Sequence, residues 1–292
     1  MFTRIRLSSA VCLAATIAFG VPHDGTAGTA DGQVIPFESP RGTLIAVRGA
    51  IGRLDGLRLL VDTGTSRTVV DRRIVRELGL RGTPDHFLVF GQRVPAERVA
   101  LPELRLGPIH APGLQVLAAD LSAAGQRLGW PLDAIVGLDV LREHCFIVDY
   151  QSRTLAFTCT ADWPWKVACD RRSPYLIAPV VIDGRELRLF VDTGSDALAI
   201  YERAAAEGAA PGEEGVPADN LVTTVYLRHF TADSVIVGGL HLRRELVFVA
   251  PGRSEDLGYD GVLGVPWLAS RVQIDLSRVQ IDLETLEISW GK

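Results

Sequence analysis

Lysine is almost absent from this chain: of 30 basic residues only Lys166 and Lys292 are lysine. The remaining basic residues are arginines, scattered without a long run, which reads as a compositional bias rather than a binding tract. Formal net charge is -5 over 292 residues with acids and bases interspersed, so neither a nucleic-acid face nor a polybasic membrane-binding face is expected. There is no Cys-x-x-Cys and no His-Glu-x-x-His, and the histidines at 23, 86, 110, 144, 229 and 241 show no ligand spacing. A metal site and a cofactor are therefore not expected. A Gly-x-Ser-x-Gly elbow is also missing, which removes the signature of a serine hydrolase. With 47% hydrophobic and 22% charged residues, the composition is that of an ordinary globular chain of one large domain or two modest ones.

Long apolar runs are lacking beyond the N-terminus, where Arg4 and Arg6 precede a mostly apolar stretch over residues 7–21. A short polar segment with small residues follows, so residues 1–27 read as a secretory signal with cleavage after Ala27 or Ala30. At about fifteen residues the run is short for a bilayer span, and no stable membrane crossing is expected, although an uncleaved anchor is an alternative. Export to the periplasm or medium permits disulfides. Of four cysteines, Cys12 lies within the signal, leaving Cys145, Cys159 and Cys169. Two strand-like runs, 146–150 and 154–157, form a candidate hairpin. A turn centred on Ser152 would set Cys145 opposite Cys159; Cys159 with Cys169 is the alternative pairing.

What the chain does contain is a repeat. Asp62-Thr63-Gly64-Thr65 recurs as Asp192-Thr193-Gly194-Ser195, each after an apolar run. A single Asp-Thr-Gly is expected by chance in roughly a tenth of chains this long. Here the similarity extends outward. Asp55-Gly56 and Asp183-Gly184 give tight-turn signals before each triplet. A helical pattern follows each, at 71–78 with Asp71 as N-cap and Gly79 as stop, and at 201–207 before Gly208. Further matches are Leu104-Arg105-Leu106-Gly107 with Val235-Ile236-Val237-Gly238, and Val116-Leu117-Ala118 with Val247-Phe248-Val249. Finally 133–138 matches 260–265. The offset is 130 residues at the aspartates, 131 at Gly107 and Gly238, and 127 at Gly137 and Gly264. Short strands with a turn every eight to twelve residues predict an all-β fold of two pseudo-symmetric lobes with short helices. The lobes are placed at 40–160 and 174–292, with a linker at 161–173. A tandem heptad, 271–277 then 278–284, shifts strand register by an odd number, so either a longer hairpin or a bulge is expected.

An isolated Asp-Thr-Gly is a turn, with Asp capping its own backbone and Gly taking a positive φ. Two copies, each fed by an apolar strand, point instead to matched, buried carboxylates. Like charges within about 3 Å cannot both ionise, so such a pair shares one proton. The ionised partner can take a proton from a water, and the protonated partner can polarise a carbonyl. Asp133 and Asp260 read as turn caps, Asp149 and Asp275 as structural, and His110 and His241, at equivalent repeat positions, as surface or structural residues.

The triplets with their following hydroxyl resemble the two active-site loops of pepsin-like aspartic proteases. Ile135-Val136-Gly137 and Val262-Leu263-Gly264 resemble the apolar segments crossing behind those loops. The resemblance covers roughly 40–292 and is closer to a bacterial single-chain fusion of two retropepsin-like units than to pepsin. It implies a bilobal pepsin-like acid protease fold, Asp62 and Asp192 as the catalytic dyad, and Thr63, Gly64, Thr65, Thr193, Gly194 and Ser195 as loop support. It also implies an extended peptide or protein as substrate, and a monomer, since one chain carries both loops. No Tyr-Gly flap pair occurs; the hairpin at 88–94, with Phe90 and Gly91 at its tip, is the expected flap, and its counterpart lies near 223–230. A peptide-binding module of the same fold without turnover is the alternative function.

Overall fold

In the computed structural model the described residues are 33–89, 92–158, 165–170, 175–205, 215–219, 224–251, 258–268, 271–275 and 286–291. The first half runs β1 Val34–Pro36, β2 Ala46–Ile51, β3 Leu54–Val61, β4 Val69–Asp71, α1 Arg72–Glu77, β5 Thr83–Val89 and β6 Gln92–Ala100. It continues with β7 Glu103–Leu106, β8 Ile109–Pro112, β9 Gln115–Ala119, α2 Ser122–Leu128, β10 Ala134–Val136 and α3 Leu138–Leu141. Between the halves lie β11 Cys145–Asp149, β12 Thr154–Ala156 and β13 Trp165–Cys169. The second half runs β14 Ile177–Ile182, β15 Arg185–Asp192, β16 Leu198–Tyr201, β17 Val216–Asp219, β18 Thr224–Ala232, β19 Val235–Val237 and β20 Leu240–Leu242. It closes with β21 Glu245–Ala250, β22 Gly261–Gly264, α4 Val265–Leu268, β23 Arg271–Asp275 and β24 Leu286–Gly291.

The repeat is a repeat of topology. One nine-stranded sheet has the order β5-β6-β9-β4-β10-β3-β2-β7-β8 and the other β17-β18-β21-β16-β22-β15-β14-β19-β20, the same order strand for strand. Register agrees too: Leu60 pairs with Ile135 as Phe190 pairs with Val262, both parallel. In each lobe the long strand enters half-exposed and finishes fully buried, at Leu59–Val61 and at Leu189–Asp192. Such all-apolar strand ends are buried on both faces, which lets them carry a polar residue into the interior. The fold is therefore all-β and bilobal, with short helices. A six-stranded sheet of order β1-β12-β11-β23-β24-β13 draws strands from the start, middle and end of the chain.

Several local expectations change. Asp183-Gly184 does form the tight turn between β14 and β15, with φ of 47° and 80°. Asp55-Gly56 does not: it lies inside β3, and the first-lobe turn falls at Gly52-Arg53, where Ile51 pairs with Leu54. The register shifts between Gly49 and Ile51, and Gly56 at φ 67° lies in this irregular stretch, as a strand bulge requires. Helix α1 starts at the expected cap, with Asp71 accepting from the Arg73 amide at 2.8 Å, and Gly79 stops it at φ 70°. Its counterpart shrinks to a three-residue 3-10 turn at Glu202–Ala204, because Tyr201 stands where Asp71 does and offers no capping oxygen. The expected linker contains β13, and only the first copy of the tandem heptad, in β23, lies largely within the described residues.

Strands β11 and β12 do form a hairpin, with Asp149 opposite Thr154, which centres the turn between Gln151 and Ser152 rather than on Ser152. Cys145 is disulfide-bonded, and Cys169 is a free, buried thiol, which removes the Cys159–Cys169 alternative. Cys159 lies outside the described residues, as do Phe90 and Gly91; β5 and β6 pair up to Val89 and Gln92. Among the described residues, no helix is long and apolar enough to cross a membrane.

Candidate active site

Strands β3 and β15 deliver Asp62 and Asp192 to the junction of the lobes, where both are 0% exposed. Each is anchored from behind. The Asp62 amide donates to the Val136 carbonyl at 3.0 Å, and Asp192 lies in parallel register with Gly264. The crossing strands then turn away at Gly137 and Gly264, where a side chain has no room. A Cβ on Gly137 would lie 2.7 Å from the Thr65 carbonyl oxygen, and one on Gly264 would lie 2.5 Å from that of Ser195.

The threonines tie the lobes together. The Thr63 amide donates to Thr193 Oγ1 at 3.0 Å, and the Thr193 amide donates to Thr63 Oγ1 at the same distance. Each hydroxyl then donates across the interface, Thr63 to the Val191 carbonyl at 2.9 Å and Thr193 to the Val61 carbonyl at 3.0 Å. All six polar groups are buried, so leaving any one unpaired would cost about 1–3 kcal/mol. This reciprocal set fixes the spacing of the two aspartates that follow the same strands.

Around the carboxylates the two loops are similar but not identical. Gly64 donates its amide to Asp62 Oδ1 at 2.8 Å, and Gly194 donates to Asp192 Oδ1 at 2.7 Å. Thr65 Oγ1 donates to Asp62 Oδ2 at 2.9 Å, whereas Ser195 Oγ accepts from the Ala197 amide at 3.4 Å. The two carboxyl groups are hydrogen-bonded to each other. Burial raises the Asp62 pKa above its ordinary value, opposed by the hydrogen bonds from Asp192, Thr65 and Gly64. A hydrogen-bonded pair of carboxyls in a dry site holds one proton between them.

Residues outside the motifs complete the site. Thr68 donates both its amide and its hydroxyl to Asp139, each at 2.8 Å, and its hydroxyl accepts from the Gly137 amide at 3.2 Å. Burial pushes Asp139 up to about 6 against those bonds, although the residue keeps a partly exposed edge. The matching positions in the second lobe are Leu198 and Pro266, so this clamp exists on one side only. Tyr175, at the entrance to the second lobe, hydrogen-bonds Ser66 of the first-lobe loop, and burial pushes its hydroxyl up to about 12. The Tyr150 hydroxyl is also buried and has no partner among the described residues; desolvation first, then the charge of Asp192, raises its pKa. Only the break in repeat symmetry at 68 and 139 could have flagged any of these from sequence.

The other acids do structural work. Asp133 Oδ2 accepts from the Arg58 amide at 2.6 Å and Asp260 Oδ2 from the Arg188 amide at 2.8 Å, the same bond in each lobe. Asp149 accepts from the amides of Gln151 and Ser152 in the hairpin turn. His110 is exposed and contacts Glu103 at 3.1 Å; its counterpart His241 is exposed in β20. Among the described residues no group of three or more His, Cys, Asp or Glu is placed to hold a metal ion.

Two pseudo-symmetric β lobes joined over a buried carboxylate pair define the bilobal acid-protease class of fold. The chain belongs to the aspartyl protease family, whose model matches residues 47–140 and 178–267, more than half of the sequence. Among solved structures it is similar to a retropepsin-like aspartic protease from Rickettsia conorii, at 16% identity and a TM-score of 0.33. That likeness covers 43% of this chain and 89% of the other. No curated protein matches.

Proposed function

We propose that this protein is an exported aspartic endopeptidase that hydrolyses extended peptides with a water activated between Asp62 and Asp192. The observation that carries the proposal is the reciprocal Thr63–Thr193 exchange, which holds two buried carboxyls in hydrogen-bond contact. The ionised carboxyl takes a proton from the attacking water as its oxygen adds to the scissile carbonyl carbon. The proton already shared by the pair moves to the carbonyl oxygen, giving a neutral tetrahedral intermediate. When the C–N bond breaks, the leaving amine takes a proton from the dyad while a hydroxyl of the intermediate gives its proton to the ionised carboxyl, so a carboxylic acid and an amine leave and the pair is again singly protonated. Thr65 keeps Asp62 oriented through this cycle, and the Gly64 and Gly194 amides stabilise the charged form of each carboxylate.

Both loops sit on one chain, so a monomer suffices for turnover. Residues 1–27 are assigned as the export signal, and 40–160 and 174–292 as the two lobes. The test is cleavage of a fluorogenic peptide library by the purified chain, with and without a statine-type transition-state mimic. Cleavage blocked by the mimic and lost in Asp62→Asn and Asp192→Asn is the expected result. Tight peptide binding with no cleavage from acid to neutral pH, or unchanged cleavage in either variant, overturns it.

A further inference from the structure

A first-lobe cavity of about 750 Å³ has a lining that includes neither aspartate of the dyad. Arginines distant in sequence converge there: Arg58 from β3 and Arg72, Arg73 and Arg76 from α1. Arg73 is already neutralised, since it bonds Asp133 and approaches Asp71 at 3.4 Å. The other three are poorly served. The Arg58 guanidinium lies 5.8 Å from the Trp130 ring centroid, and its buried Nε has no acceptor among the described residues. Among the described residues the buried Arg72 Nε is likewise without a partner, and its Nη2 donates to the Pro95 carbonyl at 3.3 Å. Arg76 Nε donates to the Arg72 carbonyl, also at 3.3 Å.

The carboxylates nearby take their hydrogen bonds from other donors, while Asp120 attracts Arg72 and Arg76, and Glu38 attracts Arg58, only electrostatically. Asp71 accepts from the Arg73 and Leu121 amides, and Asp133 from the Arg58 amide. Asp120, which faces Arg72 and Arg76, is held by Ser122 through its amide and hydroxyl. Glu38, behind Trp130, is taken by the indole N–H at 3.0 Å and by Arg48 at 2.7 Å.

The second lobe supplies an internal control. Its equivalent cavity, about 410 Å³, is lined by Arg188 and Arg203 at the positions of Arg58 and Arg73. There Arg188 donates to Asp170 at 2.6 Å, and Glu202, paired with Arg228 at 3.0 Å, stands where Arg72 does. Arg188 is thus paired with a carboxylate side chain in the second lobe, whereas its first-lobe counterpart Arg58 makes no such pair among the described residues.

We infer that the first-lobe cavity binds a small organic phosphate, whose oxyanion takes terminal guanidinium N–H groups of Arg58, Arg72 and Arg76 and whose carbon skeleton lies along Trp130. Arginine forks match tetrahedral oxyanions in pairs, and the volume suits a ligand larger than phosphate itself. The test is calorimetric titration of phenyl phosphate into the full chain at low salt, with phenol as the neutral control. Binding tighter than about 1 mM is expected, with none for phenol. Arg72→Glu, which installs the second-lobe residue, and Arg58→Gln should each weaken it by about tenfold or more, while Arg203→Gln leaves it unchanged. Thermal melts establish that each variant is folded. Absence of phenyl phosphate binding, or wild-type binding by both folded first-lobe variants, overturns the assignment, and neither outcome depends on peptide cleavage.

Discussion

Gly64 stands where any side chain would enter the opposite carboxylate: a Cβ built there lies 2.6 Å from Asp192 Cγ. Reciprocally, a Cβ on Gly194 lies 3.0 Å from Asp62 Cγ. The Gly of each loop is therefore a spacer for the partner's aspartate, and it needs no unusual backbone angle to explain it. Gly64→Ala should push the carboxyls apart while leaving the strands intact. Expected is a loss of kcat/KM of about a hundredfold or more, with about 1–3 kcal/mol of stability lost to overpacking. Peptide cleavage and denaturant melts on one preparation measure both. Near-normal turnover in this variant would mean that close approach of the pair is unimportant.

The Thr63–Thr193 exchange makes a second expectation. Thr193→Val keeps the shape but strips the acceptor from the Thr63 amide and the donor from the Val61 carbonyl. Two buried groups are then unpaired, at about 1–3 kcal/mol each, and the melting temperature should fall by several degrees. Thr193→Ser retains the hydroxyl and should recover most of that loss. Equal stability of the Val and Ser variants would remove the exchange from the forces that join the lobes.

Much of this was legible because it was written twice. The aspartates, the strands that carry them and the crossing segments kept a nearly constant offset, and a strand ending in apolar residues before Asp has few other places to go. The reading failed where the repeat broke or where pairing was distant. Asp55-Gly56 looked like a turn, but local chemistry cannot see that Gly52-Arg53, three residues earlier, satisfies the register. The union of Cys145–Asp149 with Arg271–Asp275 leaves no local signature, since either strand would pair with any complementary edge. Thr68 and Asp139 were missed because only an interruption of the repeat marks them, their counterparts being Leu198 and Pro266.

Asp139 also sets a pH dependence. Its folded pKa is raised to about 6 from 3.8, so the native state binds its proton before the unfolded chain does. Stability from this group is complete below about pH 4 and is lost as pH rises through 6. Asp62, raised by burial, acts in the same direction. The protein should therefore gain stability on acidification from pH 7 to 4. Asp139→Asn, which keeps an acceptor for one of the two Thr68 donors, should flatten that gain by about 1–2 kcal/mol, allowing for the partly exposed edge of the residue. Chemical denaturation at pH 4 and pH 7 is the measurement, and an unaltered pH slope in the variant would contradict the burial of this carboxylate.

Tyr175 and Ser66 give a sharper test, because they join the second lobe to the active-site loop of the first through one buried hydrogen bond. The tyrosine ring is held independently, 5.8 Å from Phe190 and 5.5 Å from Tyr259 by ring centroids. Tyr175→Phe should thus leave the packing in place and remove only the bond, costing about 0.5–1.5 kcal/mol. Ser66→Ala removes the same bond but strands the tyrosine hydroxyl in a dry site, so it should cost more, about 1–3 kcal/mol. If the two groups serve each other, the double variant should be no worse than Ser66→Ala alone, since the stranded hydroxyl has gone as well. A double-mutant cycle by denaturant unfolding reads the coupling directly. Strictly additive losses would show that Tyr175 and Ser66 stabilise their own lobes separately and that the bond between them contributes nothing to holding the lobes together.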